Sequence, residues 1–177
     1  MKTRYLSYWL IPTTEDSVVL QAVIDELATR FGTHSFPPHL TIFAGPISSG
    51  VEPIHLLDSL SPDLVPKHLE VTRMDTSNRF TMTLFLRFPK NPKLVSLQEK
   101  IQANSAPSNY SLDPHLSLLY ADLPLSTKES LADEFNLLLK KIRFDRIRAV
   151  SHPSPVQTQE DIKDFRNICE VVYRPNQ

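Results

Sequence analysis

Two stretches, Pro38-His39-Leu40-Thr41-Ile42 and Pro114-His115-Leu116-Ser117-Leu118, decide how this chain is read. Each runs proline, histidine, apolar, hydroxyl, apolar. Successive side chains on a β-strand leave on opposite faces, so His39 shares a face with Thr41, and His115 with Ser117. Leu40, Ile42, Leu116 and Leu118 then point into a core. One such strand would be an ordinary half-exposed edge; two at corresponding places in a repeat are not expected from composition alone.

Working outward, residues 4 to 12 predict a strand with apolar residues on both faces, followed by an amphipathic helix carrying Val19, Leu20, Val23, Ile24, Leu27 and Phe31 as far as Gly32. Thr13 and Asp16 have the spacing of a capping box. Residues 39 to 44 form the first histidine strand and close on Gly45-Pro46. Between Ile47 and Lys67 the sequence supports a strand remnant and a short helix. Residues 69 to 76 and 79 to 88 predict a hairpin turning at Ser77-Asn78. A helix over 92 to 104, a polar stretch from Ser105 to Pro114 and the second histidine strand, 115 to 121, follow. Ser126 and Glu129 suggest a cap for a helix with Leu131, Phe135, Leu138 and Leu139 on its apolar side, ended by Lys140 and Lys141. Strands over 142 to 150 and 166 to 173 complete the chain. A strand ending at Pro12 thus leads through a helix to a strand opening at His39, 27 residues on; a strand ending at Pro89 does the same to His115, 26 residues on. This is an internal repeat.

The composition fits one globular domain, residues 1–177: 41% hydrophobic and 22% charged residues exclude a disordered chain. Only three glycines, Gly32, Gly45 and Gly50, stand against 15 prolines. That excludes the clustered glycines of phosphate-cradling loops, so any phosphate must be held by side chains. A net charge of −1 gives no footprint for a long nucleic acid. The lone Cys169 forms no disulfide within the chain, which fits a reducing compartment, with the cytoplasm as default. No apolar run approaches a membrane span, and the first residues have no cleavage-site pattern.

Two imidazoles and two hydroxyls facing one cleft can perform concerted acid–base chemistry. A neutral histidine accepts a proton while a charged one donates, and hydroxyls donate to the non-bridging oxygens of a phosphodiester. No metal-ligand constellation is present and none is required. On the two motifs, and on Tyr5 to Pro12 with Trp9 and Leu119-Tyr120 after the second motif, the chain resembles the two-histidine phosphoesterase superfamily, nearest its plant and yeast cyclic phosphodiesterase branch.

The resemblance implies a bilobal α+β, LigT-like fold: pseudo-twofold duplicated antiparallel sheets, outer helices, intertwined lobes and a central cleft. It implies hydrolysis of 2',3'-cyclic nucleotides to nucleoside 2'-phosphates, or of ADP-ribose 1'',2''-cyclic phosphate to the 1''-phosphate. His39 and His115 would be acid and base, in either order, with Thr41 and Ser117 as phosphate ligands and no cofactor or metal. Trp9 could stack a base, and Tyr120 could reach the phosphate if a bulge breaks the strand's alternation. Phe43 reads as core; His34, His55, His68 and His152 read as solvated. The Ser105–Asp113 stretch reads as a polar connection or a lid. The expected partner is a small cyclic nucleotide bound by a monomer, without long nucleic acid or membrane. An RNA 2'-5' or end-processing enzyme, and a non-catalytic nucleotide-binding module, are the alternatives.

Overall fold

The computed structural model describes residues 2–50, 52–62, 65–66, 68–135 and 139–173. In chain order the elements are β1 (Thr3–Pro12), α1 (Thr14–Phe31), β2 (Leu40–Pro46), α2 (Pro53–Ser59), β3 (His68–Glu70), β4 (Arg73–Thr76), β5 (Leu84–Arg87), α3 (Pro92–Ala103), β6 (His115–Leu119), α4 (Leu125–Glu134), β7 (Lys141–Ser154), α5 (Gln159–Lys163) and β8 (Arg166–Val172). The strands form an antiparallel sheet ordered β3-β7-β1-β2-β6-β5-β4, with β8 also pairing on β7. β1 lies in its interior, which explains its apolar residues on both faces: Trp9 and Ile11 on one, Tyr8 and Leu10 on the other, all buried.

The sheet has a seam. β2 and β6 meet at one ladder pair, Leu40 with Leu116, and then diverge. Both leucines are fully buried. Continuing that antiparallel register by one residue each way sets His39 opposite Ser117 and Thr41 opposite His115, on the face away from the leucines. The divergence beyond the pair opens a cleft on that face.

The helices cover the other face, and the two longest cross over. α1, in the first half of the chain, packs beneath β6 through Leu20, Val23, Ile24 and Leu27; α3, in the second half, packs beneath β2 through Leu94, Leu97 and Ile101. Each such side chain contributes about 1.5–3 kcal/mol by leaving water, so each histidine strand is backed by the other half's helix. No helix of the described residues is long and apolar enough to cross a membrane.

Several local expectations give way to tertiary bonds. Residues 79 to 83 do not continue the second hairpin strand: Phe80–Met82 is a 3-10 turn. Its polar groups find better partners in the turn, because Ser77 Oγ donates to the Met82 carbonyl and Thr83 Oγ1 to those of Phe80 and Ala121. Thr13 makes no side-chain cap; Asp16 instead accepts the Arg143 backbone N–H at 2.7 Å and its guanidinium at 2.9 Å. α4 starts after Pro124 without a Ser126 cap, and Lys141 opens β7 rather than ending a helix. The capping box that does form is Thr158 with Asp161, on the short α5. β6 ends at Leu119, and Leu138 lies outside the described residues.

The seam sets a stability prediction. Leu116→Ala leaves a cavity at the single junction and is expected to cost about 2–5 kcal/mol in denaturant unfolding. A loss below 1 kcal/mol would show that the two halves are held elsewhere.

Candidate active site

Each histidine strand is built the same way. Trp9 pairs with Thr41 and Leu10 with Leu40; one repeat later, at the same offset, Phe85 pairs with Ser117 and Leu86 with Leu116. In both strands the register then slips by one residue, from Trp9–Thr41 to Tyr8–Phe43 and from Phe85–Ser117 to Leu84–Leu119. These are β-bulges, with Ile42 and Leu118 the extra residues. The second bulge breaks the alternation and turns Tyr120 onto the histidine face, its hydroxyl 3.5 Å from His39 Nε2.

The imidazoles are oriented identically. His39 Nδ1 lies 2.7 Å from the Pro37 carbonyl and His115 Nδ1 lies 2.6 Å from the Asp113 carbonyl. A carbonyl only accepts, so each Nδ1 carries the proton and each Nε2 presents a lone pair when the ring is neutral. Arg87 fixes the approach to His115 by pairing with Asp113 at 2.7 Å and Asp75 at 3.0 Å. Both histidines line one cleft of about 300 Å³, together with Trp9, Thr41 and Tyr120.

Their environments differ. His39 is 5% exposed and stacks on Trp9 with ring centroids 3.6 Å apart and planes inclined by 13°. Burial pushes its pKa down to about 3, aided by the nearby His115, Arg148 and His152 and opposed by the Pro37 carbonyl. His115 is half-buried, with Phe85 edge-on at 5.5 Å. Burial lowers its pKa too, with Arg87 and Arg79 adding to the fall; the Asp113 carbonyl and carboxylate oppose it.

The hydroxyls are not equivalent. Thr41 faces the cleft. Ser117, 3% exposed, donates its proton to the Thr81 carbonyl at 2.7 Å and does not line the cavity. The expected symmetric pair of phosphate donors is therefore present on one side only. Trp9 also departs from expectation: one indole face is covered by His39 and Phe165 stands edge-on at 5.6 Å, which leaves no open platform for a base. Tyr120, stacked on Phe36 at 4.0 Å, sits beside His39. Phe43 is core, as read, and His55 and His68 are exposed, while the His34 backbone bonds Gln159.

His152 is a correction. It lines the cleft, where its Nε2 lies 2.6 Å from Ser7 Oγ and its Nδ1 2.8 Å from the Pro153 carbonyl, so the ring is a neutral acceptor of the Ser7 proton. Burial, followed by the Arg4 charge, holds its pKa below the ordinary histidine value. Arg79, Thr81, Tyr110 and Phe165 also line the cleft and come from connections between strands. Tyr110 is anchored by its hydroxyl to the Thr41 carbonyl and Ser108 by its own to that of Ala44, which makes the Ser105–Asp113 stretch a wall bound to β2. Among the described residues no group of three or more His, Cys, Asp or Glu is placed to hold a metal ion.

Two histidines on converging, bulged strands, with their Nε2 atoms turned into one cleft, define a two-histidine phosphoesterase. A family model described as cyclic phosphodiesterase-like protein matches residues 5–143, and the chain belongs to that family of enzymes. It is 30% identical over 147 residues to a 2',3'-cyclic-nucleotide 3'-phosphodiesterase of Phaeosphaeria nodorum, covering 72% of this chain and 74% of that one. It is 24% identical over 135 residues to a cyclic phosphodiesterase of Arabidopsis thaliana, covering 76% and 75%. Escherichia coli LigT complexed with ATP shares the fold at a TM-score of 0.56 and 13% identity, over 99% of this chain and 100% of that one. TT0787 of Thermus thermophilus does so at 0.56 and 14%, over 98% and 100%.

If the indole is what keeps His39 out of water, Trp9→Leu is expected to raise the His39 midpoint by about one pH unit or more in a histidine NMR titration. An unchanged midpoint would place the cause elsewhere.

Proposed function

We propose that the protein opens 2',3'-cyclic nucleotides to nucleoside 2'-phosphates, with neutral His39 as general base and protonated His115 as general acid. The observation that carries this reading is the shared tautomer: both Nδ1–H groups are bound to backbone carbonyls, which leaves the Nε2 lone pairs for the one cleft both rings line, with the Tyr120 hydroxyl 3.5 Å from that of His39. His39, more deeply buried, holds a proton less readily and suits the base. His115, half-buried beside the Asp113 carboxylate, takes a proton more readily once an anionic phosphate arrives.

Water attacks phosphorus in line and gives its proton to His39 Nε2. The P–O3' bond breaks as His115 Nε2 protonates the departing oxygen. Thr41 donates to a non-bridging oxygen, whose charge grows in the transition state. Ser117 joins only by giving up Thr81. The 2'-phosphate outcome is supported by the name of the Phaeosphaeria relative. The groups this chemistry uses all lie on one chain, so it needs no residue from a second copy. The single Cys169, free and half-buried, suits a reducing compartment, the cytoplasm.

With 2',3'-cyclic AMP followed by phosphorus NMR, His39→Ala and His115→Ala are expected to lose about 10²–10⁴-fold in kcat while keeping the wild-type circular dichroism spectrum. EDTA is expected to leave the rate unchanged. Normal turnover in either variant, or a rate abolished by chelation, would contradict the mechanism. Thr41→Val is expected to cost about 10²-fold, and Ser117→Ala less; the reverse order would restore the symmetric clamp. Both histidine pKa values are lowered in the free protein, so the base stays competent at acid pH and the acid loses its proton early. The kcat/KM optimum is therefore expected below about pH 6.5, and an optimum above pH 8 would contradict the assignment.

A further inference from the structure

The Ser117 hydroxyl, which the repeat leads one to expect at the cleft, is instead committed to the Thr81 carbonyl. Thr81 belongs to the Ser77–Thr83 turn, and the same turn brings Arg79 to the cleft wall. Among the described residues eight arginines form ion pairs with carboxylates: Arg4, Arg30, Arg73, Arg87, Arg143, Arg146, Arg148 and Arg166. Arg79 does not. Among the described residues its guanidinium has only the Met82 sulfur, at 3.9 Å, a weak acceptor.

The turn is nevertheless firmly held. Lys128 on α4, 4% exposed, donates at 2.9 Å to both the Ser77 carbonyl and Asn78 Oδ1. Ser77 Oγ accepts the Arg79 backbone N–H at 3.1 Å, and the Arg79 carbonyl accepts the Met82 N–H at 2.9 Å. A buried lysine spent on two neutral oxygens, and a neighbouring arginine left without a carboxylate at the mouth of the site, describe a preorganised arm with a charge in reserve.

We infer that Arg79 is the phosphate-binding cation of this site, taking the non-bridging oxygens on the side where Ser117 is withdrawn; this rests on the cyclic phosphodiesterase reading above. A guanidinium presents paired N–H donors that match two phosphate oxygens. Its charge reaches His115, whose pKa it helps to depress, so a bound phosphate that neutralises Arg79 also frees His115 to take up the proton it later delivers. Ser117 then acts as a positioning residue of the arm, through Thr81.

Arg79 is exposed and has no structural ion pair, so Arg79→Gln is expected to fold normally. Calorimetric binding of 2'-AMP is expected to weaken about 10- to 100-fold in Arg79→Gln, with KM for 2',3'-cyclic AMP rising more than kcat falls. The His115 NMR midpoint is expected to move up. Arg79→Lys should return that midpoint toward wild type while restoring only part of the binding, because an ammonium lacks the paired donors. Binding within twofold of wild type and an unmoved midpoint in Arg79→Gln would overturn the inference. If wild-type protein turns over 2',3'-cyclic AMP and the variant matches it, Arg79 is wrong and the enzyme reading stands. If wild-type protein binds 2'-AMP through Arg79 but never opens the cyclic phosphate, the reverse holds. Absence of both 2'-AMP binding and 2',3'-cyclic AMP turnover by wild type would overturn both.

Discussion

One backbone pairing, Leu40 with Leu116, organises the site. It is the place where two half-sheets touch, and its antiparallel register puts each histidine across from the other strand's hydroxyl residue. Because side chains alternate, burying the leucines beneath the sheet obliges the histidines to lie above it. The crossing of α1 beneath β6 and α3 beneath β2 clamps the pair from below, so the separation of the imidazoles is set by the hydrophobic core. Displacement of either strand by one residue would send its histidine into the helices.

Symmetry ends at the level of environment. The same two backbone bonds orient His39 and His115, yet an indole covers one ring and a phenyl edge meets the other. Burial is the largest influence on both pKa values and is deeper at His39 than at His115, so two chemically identical side chains hold a proton unequally. The hydroxyls divide similarly: Thr41 faces the cleft while Ser117 ties down a turn. The duplicated frame thus has two unlike ends, an asymmetry that the proposed ring opening, with its distinct attacking and leaving oxygens, would use.

Much of this was legible from residue order. The strands carrying His39 and His115, the helices over 14–31 and 92–103 and the repeat itself follow from period-two and period-3.6 patterns, because packing enforces those periods. The bulge that delivers Tyr120 has no marker in the sequence, since nothing in Leu118 distinguishes an extra residue from a paired one. The alternation of Phe80, Met82 and Leu84 predicts a strand through Arg79 and Thr81. The 3-10 turn wins there through hydrogen bonds to Ala121 and Lys128, far away in sequence. His152 lies outside the repeat and carries no motif; β7 brings it to Ser7 on β1, a pairing that only the sheet order reveals. The indole of Trp9, read as a platform for a base, is taken by the protein's own histidine.

A crystal structure with a nucleoside 2',3'-vanadate ester, a mimic of the five-coordinate phosphorus centre, tests the central claim most directly. The account predicts His39 Nε2 and His115 Nε2 on opposite apical sides of the vanadium, each within hydrogen-bond distance of an apical oxygen. It would be contradicted by a vanadate held with only one imidazole in reach, or bound away from both.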